Sequence, residues 1–245
     1  MAQEAETARR VPLNRERVLR AAVALADDSG IEALSMRRLA QELGVVPMAL
    51  YKHVANKEQL LDGMVDAVVG GIDPPLDGPD WKSVVRHRIL SARQVLRRHR
   101  WASRVIESRP GPTPAVLEYL DSMIGIFRAG GLSADLTHHV MHALGSRLLG
   151  FTQELFDAAP DAPGAPDDAA AAADPAAQEA ALRAMAERYP HIAEMATAAA
   201  HVEGSGEGSA VSPGCDDQFE FEFALDLLLD GFERLHHQGW TSVGR

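Results

Sequence analysis

Two helix boundaries lie close together in the N-terminal part of the chain, and they constrain the fold more than any other feature. Ser35 is a favourable N-cap for a helix, and Gly44 allows the left-handed backbone that ends one. Three residues later, Pro47 suits the first turn of a new helix, where its missing N–H is not needed. The pattern therefore predicts two short helices joined by a tight turn, the second running from Pro47 to about His53.

Further helices are predicted on both sides of this pair. Asn14 is placed to cap a helix that Gly30 ends. Asn56 is placed to cap another, with Gln59 reaching back to complete the cap and the helix continuing to about Gly70. Two short helices joined by a glycine-containing turn form the helix-turn-helix pattern of DNA-binding domains.

The chain is expected to be all-α and to contain two domains. Residues 1–12 are read as a disordered tail, and residues 13–71 as a three-helix helix-turn-helix domain with its connecting helix. Residues 72–245 are rich in good helix formers, lack an alternating strand pattern, and predict a larger helical domain. Within it, the composition of residues 157–175 and 203–217 predicts flexible loops.

Charge is distributed unevenly along the chain. The net charge is -11, which by itself disfavours a polyanionic partner. Between Ser35 and Lys57, however, four basic side chains stand against one acidic side chain, whereas residues 72–245 carry 15 basic and 25 acidic ones. A phosphate backbone responds to charges within a Debye length, so a small basic face on an acidic body is compatible with DNA binding.

The chain lacks an apolar run long enough to cross a membrane, and its N-terminus lacks the apolar core of a signal peptide. Cys215 is its single cysteine, so no intrachain disulfide is possible. Its acidic neighbours give it no activation as a redox sensor. We therefore expect a cytoplasmic protein.

The N-terminal segments LNRERVLRAAVALADDSGIEALSMRRLAQELGV and LYKHVANKEQLLDGM resemble the DNA-binding domain of the tetracycline-repressor (TetR) family of bacterial transcription regulators. The segments RHRW, LDSMIGIFRAGGLS and HALGSRLLGFTQEL resemble the regulatory domain of the same family more loosely. The resemblance implies an all-helical homodimer that binds palindromic operators and releases them when a small molecule enters the C-terminal domain.

The expected DNA contacts fall into two groups. Recognition helices present their N-terminal residues to base edges, which makes Pro47, Met48 and Ala49 candidates for contact with thymine methyl groups. The resemblance assigns direct readout of guanine to Arg37. The candidates for phosphate contact are Tyr51, Lys52, His53 and Lys57. Lys52 is also placed where it can contact a base.

A purely structural role is the alternative for several of these residues. Tyr51 is then half-buried between helices, Met48 belongs to the core, and Arg37 and Arg38 form a solvated face. The complete set of caps, glycines and spacings favours the DNA-binding interpretation.

Two wide apolar stripes in the C-terminal part predict a four-helix dimer interface, as the resemblance implies, with the core of a monomer as the alternative. The first stripe comprises Leu136, Val140, Leu144, Leu148 and Leu155. The second comprises Phe219, Phe223, Leu227, Leu228 and Phe232.

The expected effector pocket is mostly apolar with a few polar groups, as small-molecule sites are. Its candidate lining residues are Arg88, Trp101, Arg109, Leu120, Met123, Phe127, His138, Met141 and Phe151. His138 and His142 are spaced to share a metal ion beside His139, but no third ligand is evident, so no metal site is assigned. Ile106 stands near the position of the magnesium-binding histidine of the tetracycline repressor, which disfavours tetracycline with magnesium.

These observations predict a DNA-binding transcription regulator, chiefly a repressor that a small-molecule effector releases from its operator. The alternative is an effector-independent regulator controlled by a protein partner or by its own abundance. No cofactor is expected. The sequence offers no acid–base pair, nucleophile motif or phosphate-binding loop at usable spacing, so an enzyme is not expected.

Overall fold

Helices make up every regular element in the part of the chain that the structure describes, as predicted. A computed structural model describes residues 12–149 except 77 and 79, residues 183–194 except 185, and residues 217–243. The chain divides into two compact units, Met1–Gly150 with Leu225–Arg245 and Phe151–Ala224. None of the described helices combines the length and apolarity needed to cross a membrane.

The first unit contains the helices that carry most of the predicted sites. In chain order they are α1 (Arg15–Ser29), α2 (Met36–Glu42), α3 (Pro47–Leu50), α4 (Lys57–Val69), α5 (Trp81–Arg98), α6 (Ala102–Ser108), α7 (Pro114–Ala129) and α8 (Ala134–Leu149). The last described helix, α9 (Asp217–His237), continues into this unit from the second.

Side-chain caps begin the N-terminal helices as the sequence predicts. The carboxamide oxygen of Asn14 accepts a hydrogen bond from the Arg17 amide at 2.8 Å, which caps α1. Ser35 caps α2 in the same way. Gly30 ends α1 with a positive φ of 81°, a backbone conformation that favours glycine. These local signals account for the positions of α1 and α2.

The third helix is shorter than predicted. It ends at Leu50, and the next three residues form a turn in which the amides of His53 and Val54 both donate to the Leu50 carbonyl. The chain must become extended again at Asn56, the N-cap of α4, which leaves no room for another helical turn. The prediction that this helix extends to about His53 was therefore wrong by three residues.

The core beneath α1–α4 also includes residues of α6. Leu39, Leu50 and Leu60 are completely buried in it. Trp101 and Val105 belong to the same cluster, with 6% and 4% of their surfaces exposed. The first four helices and α6 are thus held together by one apolar core.

Parts of the C-terminal prediction fall outside the described residues. They are Cys215, Leu155, and the predicted loops at residues 157–175 and 203–217, apart from Asp217, which is already the first residue of α9. The predicted boundary between residues 71 and 72 stays a prediction, because helices on both sides of it belong to the first unit.

Candidate DNA-binding surface and effector site

The turn between α2 and α3 sets the orientation of the recognition helix. Gly44 has a φ of 66°, which strains any residue with a side chain. One residue later, the Val45 amide donates to the Ala40 carbonyl at 2.9 Å and ties the turn back to α2. The short α3 is therefore held against α2 while its first residues face solvent.

None of the predicted DNA contacts is buried in the core. We call them the recognition surface: Arg37, Pro47, Met48, Ala49, Tyr51, Lys52, His53 and Lys57. Ala49 and His53 are half-buried, and the other members are exposed. Met48 has 71% of its surface exposed and Tyr51 45%, whereas Leu50 between them is completely buried. Met48 therefore does not take the core position that the structural alternative requires, whereas the partial exposure of Tyr51 is compatible with both interpretations.

The two arginines of α2 differ in their surroundings. Arg38 donates from Nη2 to the hydroxyl of Ser29 at 2.9 Å, so its guanidinium is tied to the end of α1. Arg37 is exposed and forms no ion pair with any described residue. Of the pair, Arg37 is the one available to a base.

A lysine stands at the start of the connecting helix. Asn56 caps α4 by accepting from the Gln59 amide at 2.8 Å, and the Gln59 side chain accepts from the Ala55 amide at 2.5 Å. Lys57 is the first residue of α4 and is exposed. Its ammonium group and the free amides of the first turn can serve one phosphate together.

One exposed apolar residue of this region was missed at the sequence level. Val46 precedes Pro47 and has 68% of its surface exposed. The exposure of Val46 could have been predicted from the pair Val45–Val46, because a tight turn allows only one of two adjacent side chains to pack inward. Val46 extends the apolar patch formed by Pro47 and Met48.

Charged groups connect α4 to the segment after α6. Arg109 donates from Nη2 to Glu58 at 2.6 Å and from Nη1 to Asp62 at 3.1 Å. The carboxylate of Asp66, one turn further along α4, accepts from the Ala115 amide at 3.0 Å. Arg109 was predicted to line the effector pocket, and the structure instead places its guanidinium on the connecting helix.

A second polar connection joins the end of α1 to the start of α6. The carboxylate of Asp27 accepts from Trp101 Nε1 at 2.7 Å and lies 2.9 Å from His99 Nδ1. Arg104 donates to Glu32 at 2.5 Å. Sequence reasoning did not find these pairs, because their members lie more than 70 positions apart in the chain.

A groove between α7 and α8 contains some of the predicted effector residues. Its volume is about 560 Å³. The residues that line it are Leu120, Ile124, Arg128, Ala134, Thr137, His138, Met141 and His142. Thr137 has only 3% of its surface exposed, and its hydroxyl has no hydrogen-bond partner. The groove is thus mainly apolar, with imidazole, hydroxyl and guanidinium groups for polar contacts.

The other predicted effector residues lie elsewhere. Met123 and Phe127 are buried core residues, Trp101 is held by Asp27, and Phe151 lies outside the described residues. Arg88 is buried beside Tyr119, with its guanidinium carbon 4.9 Å from the centre of the tyrosine ring. The structure therefore brings Leu120, His138 and Met141 into the groove and places the other described candidates outside it.

The histidines of α8 lie close together. The rings of His138 and His142 have centroids 4.6 Å apart, and those of His138 and His139 are 5.2 Å apart. Across the described ranges, no three potential metal ligands converge on a common point.

The two stripes expected to form a dimer interface have different environments. On α8, the side chains of Leu136, Val140 and Leu144 are buried within the subunit, so the expectation that they face a partner was wrong. On α9, Phe219 and Phe223 stack with ring centroids 6.4 Å apart, and they have 62% and 54% of their surfaces exposed.

The second stripe also divides between two faces of α9. Leu227, one turn beyond Phe223, is 57% exposed and continues its outward face. Phe232 lies on the inward face, with the buried Leu225 and Leu229, so the predicted stripe was partly misassigned.

Two protein-family models match this chain, one in its N-terminal part and one in its C-terminal part. Residues 18–64 match the family model described as bacterial regulatory proteins, tetR family. Residues 74–236 match the model described as tetracyclin repressor-like, C-terminal domain.

Individual relatives are similar over different shares of their length. The HTH-type transcriptional repressor DrrR1 of Streptomyces coeruleorubidus is 37% identical over 123 residues, which are 49% of this chain and 46% of that protein. The tetracycline repressor protein class D of Escherichia coli is 32% identical over 164 residues, which are 64% of this chain and 74% of that protein. The chain spans about half the length of DrrR1 and of a regulator from Saccharopolyspora erythraea.

A solved structure is similar over nearly the whole chain. The crystal structure of a possible TetR family transcriptional regulator from Streptomyces coelicolor A3(2) is 30% identical, with a TM-score of 0.66. The match covers 91% of this chain and 100% of the other.

Proposed function

Because the chain belongs to the tetracycline-repressor family of bacterial regulatory proteins, we propose that it is a transcriptional repressor that binds a palindromic operator and leaves it when a small-molecule effector binds. The observation that carries this proposal is the exposure of the recognition surface around the buried Leu50. A helix pair with only a structural role does not need Met48 and Val46 in solvent.

Within the recognition surface, some residues are placed to contact base edges and others to contact phosphates. Arg37 is free to form a bidentate pair with guanine, the contact that gives most discrimination among side chains of this set. Val46, Pro47 and Met48 offer apolar contacts to thymine methyl groups. Lys57 and its neighbours on the surface neutralise phosphates and fix the register of the helix on the duplex.

A palindromic operator requires two copies of the chain. The outward face of α9, with Phe219, Phe223 and Leu227, supports a homodimer, because monomeric proteins rarely expose a continuous row of large apolar side chains. Two recognition surfaces then lie on one duplex, separated by a distance that the dimer determines.

The groove between α7 and α8 and the polar site at Arg88 are the places where we expect the effector. A conformational change at either place is transmitted to the recognition surface through α4. This helix carries Lys57 at one end and accepts hydrogen bonds from Arg109 and Ala115 along its length. A coupling of about 1–3 kcal/mol between effector and DNA is typical of such regulators and changes occupancy several-fold or more.

The proposal is tested by fluorescence anisotropy with labelled duplexes from the DNA that flanks the gene, together with protection footprinting. We expect a protected palindrome and two chains per duplex in sedimentation analysis. Arg37→Ala should reduce the preference for that duplex over a random one. Binding of one chain per duplex, or equal affinity for all sequences, would contradict the operator assignment.

The effector half of the proposal has its own test. A compound that raises the melting temperature of the protein should also lower its affinity for the protected duplex, because the two ligands are linked through one conformational equilibrium. Compounds that stabilise the protein without any effect on DNA binding would contradict release by an effector.

A further inference from the structure

Arg88 is a buried cation that forms no ion pair with the carboxylate of any described residue. It lies in the middle of α5 and has 6% of its surface exposed. Its Nη1 donates to the backbone carbonyl of Asp73, but Nε is buried without a partner. Arginine does not lose its proton in proteins, so the side chain stays positively charged although it is buried.

A neighbouring arginine shows what such a group normally binds. Arg86, two residues earlier, donates from Nε at 2.7 Å and from Nη2 at 3.3 Å to the two carboxylate oxygens of Asp226. Arg88 has the same pair of donors, and no described carboxylate takes them. A buried charge without an ionic partner is costly, and a bidentate carboxylate is the partner that a guanidinium fits best.

Tyr119 adds a second donor at the same place. Its ring lies under the Arg88 guanidinium at 4.9 Å, and its hydroxyl is buried without a hydrogen-bond partner. Burial raises the pKa of Tyr119 to about 12, and the charge of Arg88 opposes this only in part. The phenol therefore stays protonated at neutral pH and can donate to an anion.

We propose that Arg88 and Tyr119 bind an anionic group of the effector, with an organic carboxylate as its chemical class. This inference rests on the proposed function, because it assigns the chemistry of the effector that the regulatory helices bind. The observation that carries it is the coincidence of two unpartnered buried donors, one of them charged, on facing helices.

The same arginine connects the site to α4. Asp73 stands between α4 and α5, and its amide donates to the hydroxyl of Ser91 at 2.9 Å, which in turn donates to the Asp73 carboxylate at 2.9 Å. Arg88 holds the carbonyl of the same residue. An anion that draws Arg88 away from that carbonyl loosens the connection at the end of α4, the helix that carries Lys57.

Aromatic acids and their amides test the proposal by thermal shift. The probes are benzoate, 1-naphthoate and 2-anthroate, each compared with the neutral carboxamide of the same shape. We expect the acids to raise the melting temperature of the wild-type protein by about 3–6 °C at a tenfold excess over Kd. The amides should give no comparable shift, because they cannot neutralise Arg88.

Variants of α5 locate the effect. Arg88→Gln should lose the shift, and Arg88→Lys should keep the charge but weaken acid binding several-fold, since lysine lacks the planar fork. Arg98→Gln is the matched control, because Arg98 is an exposed arginine on the same helix without an ion pair in the described structure. Helical circular dichroism of each variant establishes that it is folded.

Three results would overturn the proposal. They are equal shifts from acids and amides, a full shift in folded Arg88→Gln or in both Arg88 variants, and no shift from any acid with the wild-type protein. Duplex binding by the same preparations tests the proposed function separately. A neutral compound that releases the duplex contradicts only the anionic class, whereas a protein that binds no duplex contradicts the repressor itself.

Discussion

Replacement of Lys57 by alanine is expected to weaken binding to every duplex by an amount that depends on salt. Lys57 is exposed at the start of α4 and has no ion pair in the described part of the chain. Each phosphate contact contributes about 0.9 to the slope of log K against log salt for double-stranded DNA. The variant should therefore reduce this slope by about 0.9 for each bound subunit, and by about 1.8 for a dimer.

The change in slope corresponds to a measurable difference in affinity. When salt rises from about 50 to 200 mM, one phosphate contact accounts for a loss of about 3.5-fold in affinity, and two contacts for about 12-fold. The wild-type protein should lose this much more affinity than Lys57→Ala over the same range. The difference should be independent of sequence, because phosphates carry no base information.

The assay is fluorescence anisotropy with a random-sequence duplex and with operator DNA across that salt range. Arg98→Ala is the control, because it removes an equal charge from an exposed position on α5, outside the recognition surface. An unchanged slope for Lys57→Ala would refute the phosphate assignment. An equal reduction for both variants would show that net charge, rather than position, determines binding.

Three further changes test other parts of the structure. Arg37→Ala should reduce discrimination between operator and mutated operators by about 1–3 kcal/mol per guanine contact, measured by competition binding. Gly130→Ala should lower the melting temperature, because its Cβ would lie 2.6 Å from the indole of the first residue of α5, whereas Gly125→Ala, with open space around it, should raise it. A double-mutant cycle of Arg109→Gln and Glu58→Gln in urea unfolding should give a coupling of about 0.5–1 kcal/mol, because the Arg109 side chain is largely buried but that of Glu58 is largely exposed.

Local signals in the sequence were sufficient to place the helices that carry the recognition surface. Caps act within three or four residues, so Asn14, Ser35 and Asn56 could be assigned without knowledge of the tertiary structure. Solvent exposure of Met48 followed from the position of Leu50, because a single-turn helix can bury only one side. The end of α3 was harder to predict, since it depends on where the cap of α4 must stand.

Ion pairs between residues far apart in the chain could not be predicted from the sequence. Arg109 is separated from Glu58 by 51 positions, and no periodic pattern in the sequence indicates that the two side chains form an ion pair. The apolar stripe of α8 is a second feature whose environment the sequence could not predict. Its spacing predicts an apolar face, but only the packed structure shows that the face is covered within the subunit, while the exposed row lies on α9.

The shared core has a mechanical consequence for regulation. Trp101, the N-cap residue of α6, and Val105 within α6 are buried in the same cluster as Leu60 and Met64 of α4, so α6 completes the core of the DNA-binding helices. The polar pairs at Asp27 and along α4 surround this contact and fix its orientation. A close-packed core resists small sliding movements, and a displaced α6 must therefore carry α4 and the recognition surface with it. Under the proposed function, an effector that shifts α6 or the α4–α5 connection therefore changes DNA binding without a direct path to α3.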